Sequence, residues 1–473
     1  MATWKDDEIA TEALRGVIKA RRPLPKKYLM LGVAVIAVSM VAAMLLLRKR
    51  PAEVAELEPA AASVPQGSST AQEEPPRRAD DAVKPAAQPP VSTAPRIEED
   101  TAPPISRLAA STDARPRDQR LINAVKYLRA GDASSAIEQL HLKRAHPLEG
   151  AEEQEEQVLL ARAELAAGNV TEARKKFEAL AFAPSSTPSG TDALMGNFWC
   201  QAGTLARCRD SELEQVSGGP DSWGKAVALL EQARRLEARS GGNLGKLEEA
   251  RELYQRALDT RSLEEAAEKD CVARLTELAN RLVLDAKYAC AAPKAVFHRV
   301  EAGEVLERIA KKNKVNIGQI KLINRLSEKL IVRQGQILKM LPGDVVYKVD
   351  RTYLHGSLYI DGVFVRRFPV GIGPGNATPV GTYTISTKVA NPDWYYDGKR
   401  IPFGHEENIL GTRWMGFSTT ELNGQGAGLG VHGTAYPESV PGRQSKGCVR
   451  MQNKDVEELF DFMPQGGKVE IFD

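Results

Sequence analysis

Residues Tyr28 to Leu47 read YLMLGVAVIAVSMVAAMLLL, a run without a single charge. At a rise of about 1.5 Å per residue it matches the roughly 30 Å hydrocarbon core of a bilayer. Only backbone that satisfies its own hydrogen bonds can lie there, so the run is expected to be a spanning helix over 28–47. Lys19, Arg21, Arg22, Lys26 and Lys27 precede it, and acidic residues such as Glu53 and Glu56 come after Arg48, Lys49 and Arg50. That bias places residues 1–27 in the cytoplasm and the remainder across the membrane. A cleaved leader is the alternative, but no small-x-small site separates the run from Arg48.

The rest of the chain divides into several units, because 473 residues exceed one compact domain. Residues 51–116 are rich in Pro, Ala, Ser and Glu and poor in aromatic side chains, so a disordered tether is expected there. Lys and Arg total 64 against 62 Asp and Glu, which excludes the basic field that nucleic-acid binding needs. Of five cysteines, Cys200, Cys208, Cys271 and Cys290 cluster mid-chain and Cys448 stands apart. The four have no CxxC spacing, so they are either two disulfides or buried free thiols.

Over 117–290 the apolar residues take helical spacing. Leu121, Ala124, Val125 and Leu128 lead through Ala130-Gly131-Asp132 into Ala136, Ile137 and Leu140. The pattern returns around Ala167-Gly168-Asn169, 37 residues on, and again around Gly241-Gly242-Asn243. These helix-turn-helix pairs resemble tetratricopeptide-like repeats, whose period is about 34 residues. Such repeats offer a surface for a protein partner, or serve as a spacer. No cluster of titratable residues in this region points to catalysis.

Residues 297–341 change pattern to a strand, two helical stripes and a strand. The module resembles the LysM family, with Gly303, Leu306, Ile309-Ala310, Asn324, Leu326 and Gly335-Gln336 in the family's places. The resemblance implies binding of N-acetylglucosamine-containing glycans in a groove formed by Gly303, Glu304, Val305 and Leu306 on one side and Leu330, Ile331 and Val332 on the other. Glu304-Val305 replaces the Asp-Thr or Asp-Ser pair common in that family. The module is expected to be separable from catalysis.

From Val345 to Asp473 β-branched and aromatic runs broken by Gly and Asp-Gly turns predict a mainly β domain. Its end, GLGVHGTAYPESVPGRQSKGCVRM, sets His432 before Gly433 and Cys448 after Gly447, where backbone must turn tightly or approach closely. A thiol is mostly unreactive at neutral pH, and an imidazole within reach lowers its pKa and accepts its proton. Backbone N–H groups at Gly447 and Cys448 are candidate oxyanion donors. One Cys and one His without further ligands do not make a metal site.

These residues resemble the L,D-transpeptidase catalytic family. Beside His432-Gly433-Thr434 and Ser445-Lys446-Gly447-Cys448-Val449-Arg450-Met451, the chain has Thr378-Pro379-Val380-Gly381, Asn391-Pro392 with Trp394, and Leu410-Gly411-Thr412-Arg413-Trp414-Met415. The resemblance implies a Cys448 acyl-enzyme formed on a tetrapeptide stem of peptidoglycan, with release of D-alanine and transfer to an amine. It implies that the backbone carbonyl of Gly433 orients His432, and that no metal or cofactor takes part. Arg450 is expected to bind a stem carboxylate, or else to pair with Asp455. Ser445 is a further candidate for the oxyanion or substrate contacts. Lys446 stands where the family usually has His, and its options are to favour the thiolate, hold a carboxylate or face solvent. Trp394, Tyr395, Tyr396 and Trp414 either flank the substrate cleft or, as aromatic residues of a β domain more often do, pack in the core.

The whole is therefore expected to be a multidomain chain: membrane helix, disordered linker, all-α repeat region, βααβ LysM module and mainly β catalytic domain. It would sit in the cytoplasmic membrane of a bacterium by one pass, with its C-terminal domains outside, in contact with wall glycans and stem peptides. A stem amine, water or another protein's amine are the open acyl acceptors, and a non-catalytic wall-binding scaffold is the alternative to an enzyme.

Overall fold

The computed structural model describes residues 117–473 except 181–184, 328, 330, 376 and 419–427. The expected cytoplasmic segment, membrane helix and linker lie outside the described residues, among which no helix is long and apolar enough to cross a membrane.

Three helix-turn-helix pairs stand where the periodicity places them: α1 (Gln119–Arg129) with α2 (Ala133–His141), α3 (Ala151–Ala166) with α4 (Val170–Ala179), and, beyond α5 (Pro188–Ala202) and α6 (Asp210–Ser217), α7 (Trp223–Ala238) with α8 (Leu244–Asp259). The first turn shows why. Gly131 takes φ +79°, and Asp132 then caps α2 by accepting from Ser135 N at 3.0 Å. Leu121, Ala124 and Leu128 bury against Ala136 and Leu140, whereas Val125 of the expected stripe points outward, 38% exposed. Cys200, Cys208, Cys271 and Cys290 are free and buried, and burial pushes the Cys271 thiol up to about 12. The disulfide alternative is therefore not what this fold contains.

The last α-helix of the region, α9 (Glu265–Leu278), packs on the far end of the C-terminal sheet. That sheet has ten described strands, beginning with β12 (Gly442–Arg443), β6 (Gly371–Ile372), β13 (Val449–Arg450), β11 (Gly430–His432), β10 (Arg413–Phe417) and β7 (Gly381–Ala390). The four at that end are β14 (Lys468–Phe472), β3 (Val345–Asp350), β4 (His355–Ile360) and β5 (Val363–Pro369). Edge strand β5 would expose unpaired backbone. Here the Gln255 carboxamide accepts from Phe364 N (3.0 Å) and donates to Gly362 O (2.7 Å), while Phe364 and Tyr359 join Leu258, Leu275 and Leu278 in one core. Glu268 of α9 binds Arg129 of α1 and Arg367 of β5, with His355 at 3.7 Å. Burial alone would raise this carboxyl; His355 and the two guanidiniums outweigh it and bring it down to about 2.

The small module is β1 (Val296–Arg299), α10 (Leu306–Lys312), α11 (Ile317–Asn324) and β2 (Ile337–Met340), with β1 antiparallel to β2. The module is packed onto the C-terminal domain. Helix α11 lies on α12 (Asn453–Phe462), the helix of the catalytic domain, so closely that a Cβ on Gly318 would meet Asp461 Cα at 2.5 Å. Asn316 Nδ2 donates to Phe460 O at 3.1 Å and Met463 O at 3.0 Å, the two carbonyls that Lys388 of β7 (Gly381–Ala390) also binds. Ile323 and Leu341 belong to the catalytic core itself. Removing the module would expose that core, because the face it covers is apolar and its hydrogen bonds satisfy the end of α12.

Gly318→Ala is accordingly expected to destabilise the chain by about 1–3 kcal/mol through overpacking at backbone. Thermal melting followed by circular dichroism checks it, and an unchanged midpoint would mean that α11 and α12 are free to separate.

Candidate active site

Strands β10 (Arg413–Phe417), β11 (Gly430–His432) and β13 (Val449–Arg450) lie side by side near the opposite end of the sheet. Strands β11 and β13 run parallel, with Val431 beside Val449 and His432 beside Arg450. This register sets Cys448, which precedes β13, next to the strand β11 that carries His432. Neither pairing is local in sequence.

His432 is 2% exposed and faces Trp414 of β10 across the antiparallel pairing, ring centroids 5.7 Å apart at 29°. Its Nδ1 lies 2.7 Å from Gly433 O. A carbonyl only accepts, so Nδ1 carries the proton and Nε2 keeps its lone pair. Burial drives the imidazole pKa down to about 4; the backbone of Gly433 and Leu410 opposes this and the Arg450 charge assists it.

Cys448 is partly exposed, its Sγ 3.7 Å from Gly428 O. Burial pushes its thiol up, against the backbone of Gly430 and the charge of Arg450. The resting pair is thus neutral thiol beside neutral imidazole, not the thiolate that residue types alone suggest. The turn before Cys448 is closed by Ser445, a buried residue whose Oγ donates to Cys448 O (2.7 Å) and accepts from Gly447 N (3.1 Å). Gly447 has φ +132°, and a Cβ there would meet Ala377 O at 2.7 Å. Ser445 and the Gly447 N–H are therefore occupied in building the turn. They are not available to substrate, and of the two expected oxyanion donors the Cys448 N–H is the one left.

Lys446 is exposed and reaches Tyr396, its Nζ donating to the phenol oxygen at 2.7 Å. Tyr396 stacks on Trp394 at 4.8 Å, both in β8 (Trp394–Tyr396), which pairs with β9 (Lys399–Ile401); Tyr395 between them is 72% exposed. The substitution of Lys for the usual His thus ties the nucleophile turn to an aromatic hairpin. Arg450 Nε is buried without a hydrogen-bond partner among the described residues. Asp455, its alternative partner, instead has its carboxyl pushed up by burial.

One residue that the sequence pattern did not single out is central. Asn453, at the start of α12, accepts on Oδ1 from Thr412 N (3.2 Å) and Thr434 N (3.1 Å). The signal available was the repeated Gly-Thr of Leu410-Gly411-Thr412 and His432-Gly433-Thr434.

In the small module Gly303 takes φ +76°, Val305 is 49% exposed and Ile331 65% exposed. Leu306 is instead 2% exposed and part of the module's core, onto which Val332 packs, so Leu306 is corrected from groove to interior. Glu304 is likewise engaged internally, accepting from Glu301 N (2.8 Å) and meeting His298 Nε2 (2.7 Å). Leu330 lies outside the described residues.

Residues 345–471 match the family described as the L,D-transpeptidase catalytic domain, and residues 298–340 the LysM domain. Over 134 residues the chain is 36% identical to YqjB of Bacillus subtilis, covering 28% of this chain and 74% of that protein. Over 180 residues it is 27% identical to YkuD of the same organism, covering 37% and 97%. Both are named as L,D-transpeptidases. Among solved structures it is similar to L,D-transpeptidase 3 from Mycobacterium tuberculosis, 15% identical over 30% of this chain and 77% of that one, with a TM-score of 0.23, too low to carry an argument.

Because the resting thiol is neutral, alkylation of Cys448 by iodoacetamide in the intact chain is expected to be slow at pH 7. It should rise with an inflection above the ordinary thiol value of 9.0. Mass spectrometry across a pH series reads it, the other four cysteines being buried. An inflection near neutrality would reveal a resting thiolate–imidazolium pair.

Proposed function

The chain belongs to the L,D-transpeptidase family, and we propose that this L,D-transpeptidase works on peptidoglycan through a thioester at Cys448. The observation that carries the reading is the buried imidazole of His432, fixed by Gly433 O with Nε2 unprotonated, on the strand beside the one that Cys448 opens.

In the proposed reaction Cys448 Sγ attacks the carbonyl carbon of the stem's third residue while His432 Nε2 takes the thiol proton. Proton transfer is concerted with attack, because the site is too dry to hold the ion pair at rest. The oxyanion is met by the Cys448 N–H. As the tetrahedral intermediate collapses, the bond to D-alanine breaks and His432 returns its proton to the leaving amine. An acceptor amine then attacks the thioester, again losing its proton to His432, and the sulfur leaves and is reprotonated. Arg450, with an unpartnered buried Nε, is the candidate for a stem carboxylate. A neighbouring stem is the proposed acceptor; water or a protein amine would give a carboxypeptidase or an attachment enzyme.

The anchor at 28–47 and tether at 51–116 are proposed to hold the enzyme in a bacterial cytoplasmic membrane with its described domains outside. Exposed Val305 and Ile331 are the proposed glycan contacts of the LysM module. The tetratricopeptide-like reading of the helical pairs, and a protein partner on them, belong to the same proposal. Their packing against β5 supports at least a spacer role.

Cys448→Ala is expected to leave the fold intact and reduce turnover of tetrapeptide-bearing wall fragments to background, a loss on the order of 10³-fold or more. His432→Ala is expected to cost roughly 10²–10⁴-fold. Since the neutral ring is the base, wild-type acylation should persist below pH 6.5 and fall only as pH drops toward about 4. Product analysis by mass spectrometry distinguishes the acceptors, and full activity in a folded Cys448→Ala variant overturns the mechanism. For the wall contact, Val305→Asp with Ile331→Asp should weaken pelleting with sacculi while sparing soluble stem turnover, since avidity needs both modules on one polymer. Unchanged pelleting would remove the LysM module from wall targeting.

A further inference from the structure

We propose that Asn453 is a positioning residue that sets the tautomer of His432 by locking one peptide plane. The inference rests on the reading of His432 as the base.

The Gly433 carbonyl that accepts from His432 Nδ1 and the Thr434 N–H that donates to Asn453 Oδ1 belong to the same peptide unit. That unit is rigid and planar, so a bond to its N–H fixes the direction of its C=O. The freedom it removes is real, because Gly433 lacks the Cβ that would restrict rotation about the plane. On the other side Gly433 N is already held by Arg413 O at 3.1 Å, and His432 O accepts from Met451 N at 2.9 Å. The Gly433–Thr434 plane is the remaining hinge, and Asn453 closes it.

The same Oδ1 accepts from Thr412 N, so the two Gly-Thr steps are clamped by one carboxamide. Space agrees with the fit: a Cβ added at either Gly411 or Gly433 would be driven into Asn453 Oδ1. Asn453 needs no contact with substrate for this. It acts through the carbonyl that keeps the proton on Nδ1 and the lone pair on Nε2, where a thiol can use it.

The test uses the full chain with ¹⁵N-labelled histidine, the His432 ring being assigned by its loss in His432→Ala. The wild type is expected to show Nδ1–H with Nε2 unprotonated at pH 7. In Asn453→Ala the ring should shift toward Nε2–H, its pKa should fall further because the Gly433 carbonyl is one of the groups that hold it up, and kcat for soluble stems should fall on the order of 10- to 100-fold with KM little changed. Asn453→Asp keeps an oxygen acceptor at the same place and should keep the Nδ1–H tautomer. A folded Asn453→Ala variant with the wild-type tautomer and kcat overturns the proposal. Should the Ala variant not fold, Asn453→Asp decides: a folded Asp variant that has lost Nδ1–H overturns it, and one that keeps it supports it. Absence of stem turnover by the wild type would refute the transpeptidase reading, while the ring spectra would still judge Asn453.

Discussion

Helix α12 is held at both ends by groups distant in sequence, and the LysM module, the sheet and the loop after His432 all meet on it. At its first residue a carboxamide accepts two backbone N–H groups, one from the segment leading into β10 and one from the loop after His432. At its last turn, Phe460 O and Met463 O, two carbonyls a helix end leaves unsatisfied, receive Asn316 from the LysM module and Lys388 from the sheet. Burial brings the Lys388 ammonium down to about 8, so this end is both dry and hydrogen-bonded. One ten-residue helix thereby joins glycan module, sheet and imidazole in a single packed unit.

The energetics of the reacting pair come from the same dryness. Burial lowers the imidazole and raises the thiol, so charge separation is disfavoured before substrate arrives. In the proposed reaction charge develops only as the thiol proton moves during attack, where fixed backbone dipoles meet it without reorganisation. An exposed Cys–His pair would gain a resting thiolate but would also be open to solvent and oxidants. The turn carrying Cys448 is stiffened accordingly, by Ser445 across it and by a glycine whose conformation and surroundings exclude any side chain.

Local chemistry was legible in the sequence where it is written in adjacent residues. Glycines beside Cys448 and His432 marked both, and the 3.6-residue period with Gly-containing turns placed the helical pairs. What escaped was whatever the fold assembles from afar. Asn453 lies 19 and 41 residues from its two partners, so no window of sequence links them. Ser445 and the Gly447 N–H looked available because the hydrogen bond they share exists only in the folded turn. Val125 shows the reverse error, since apolar periodicity gives a face and not which neighbour covers it, whereas resemblance alone placed Leu306 in the groove. The LysM module looked independent because its pattern closes on itself, yet Gly318 is small for the sake of Asp461, 143 residues later by number (318 to 461).

The proposed mechanism requires Cys448 to form a thioester with a peptidoglycan stem. Its most direct measurement is the intact mass of the full chain mixed with a purified tetrapeptide stem and quenched in acid within the first turnover, followed by peptide mapping. The expected result is a mass gain equal to the stem less D-alanine, located on the peptide that contains Cys448 and absent from His432→Ala at the same time point. Turnover with no adduct on Cys448, or an adduct on any other residue, would contradict it.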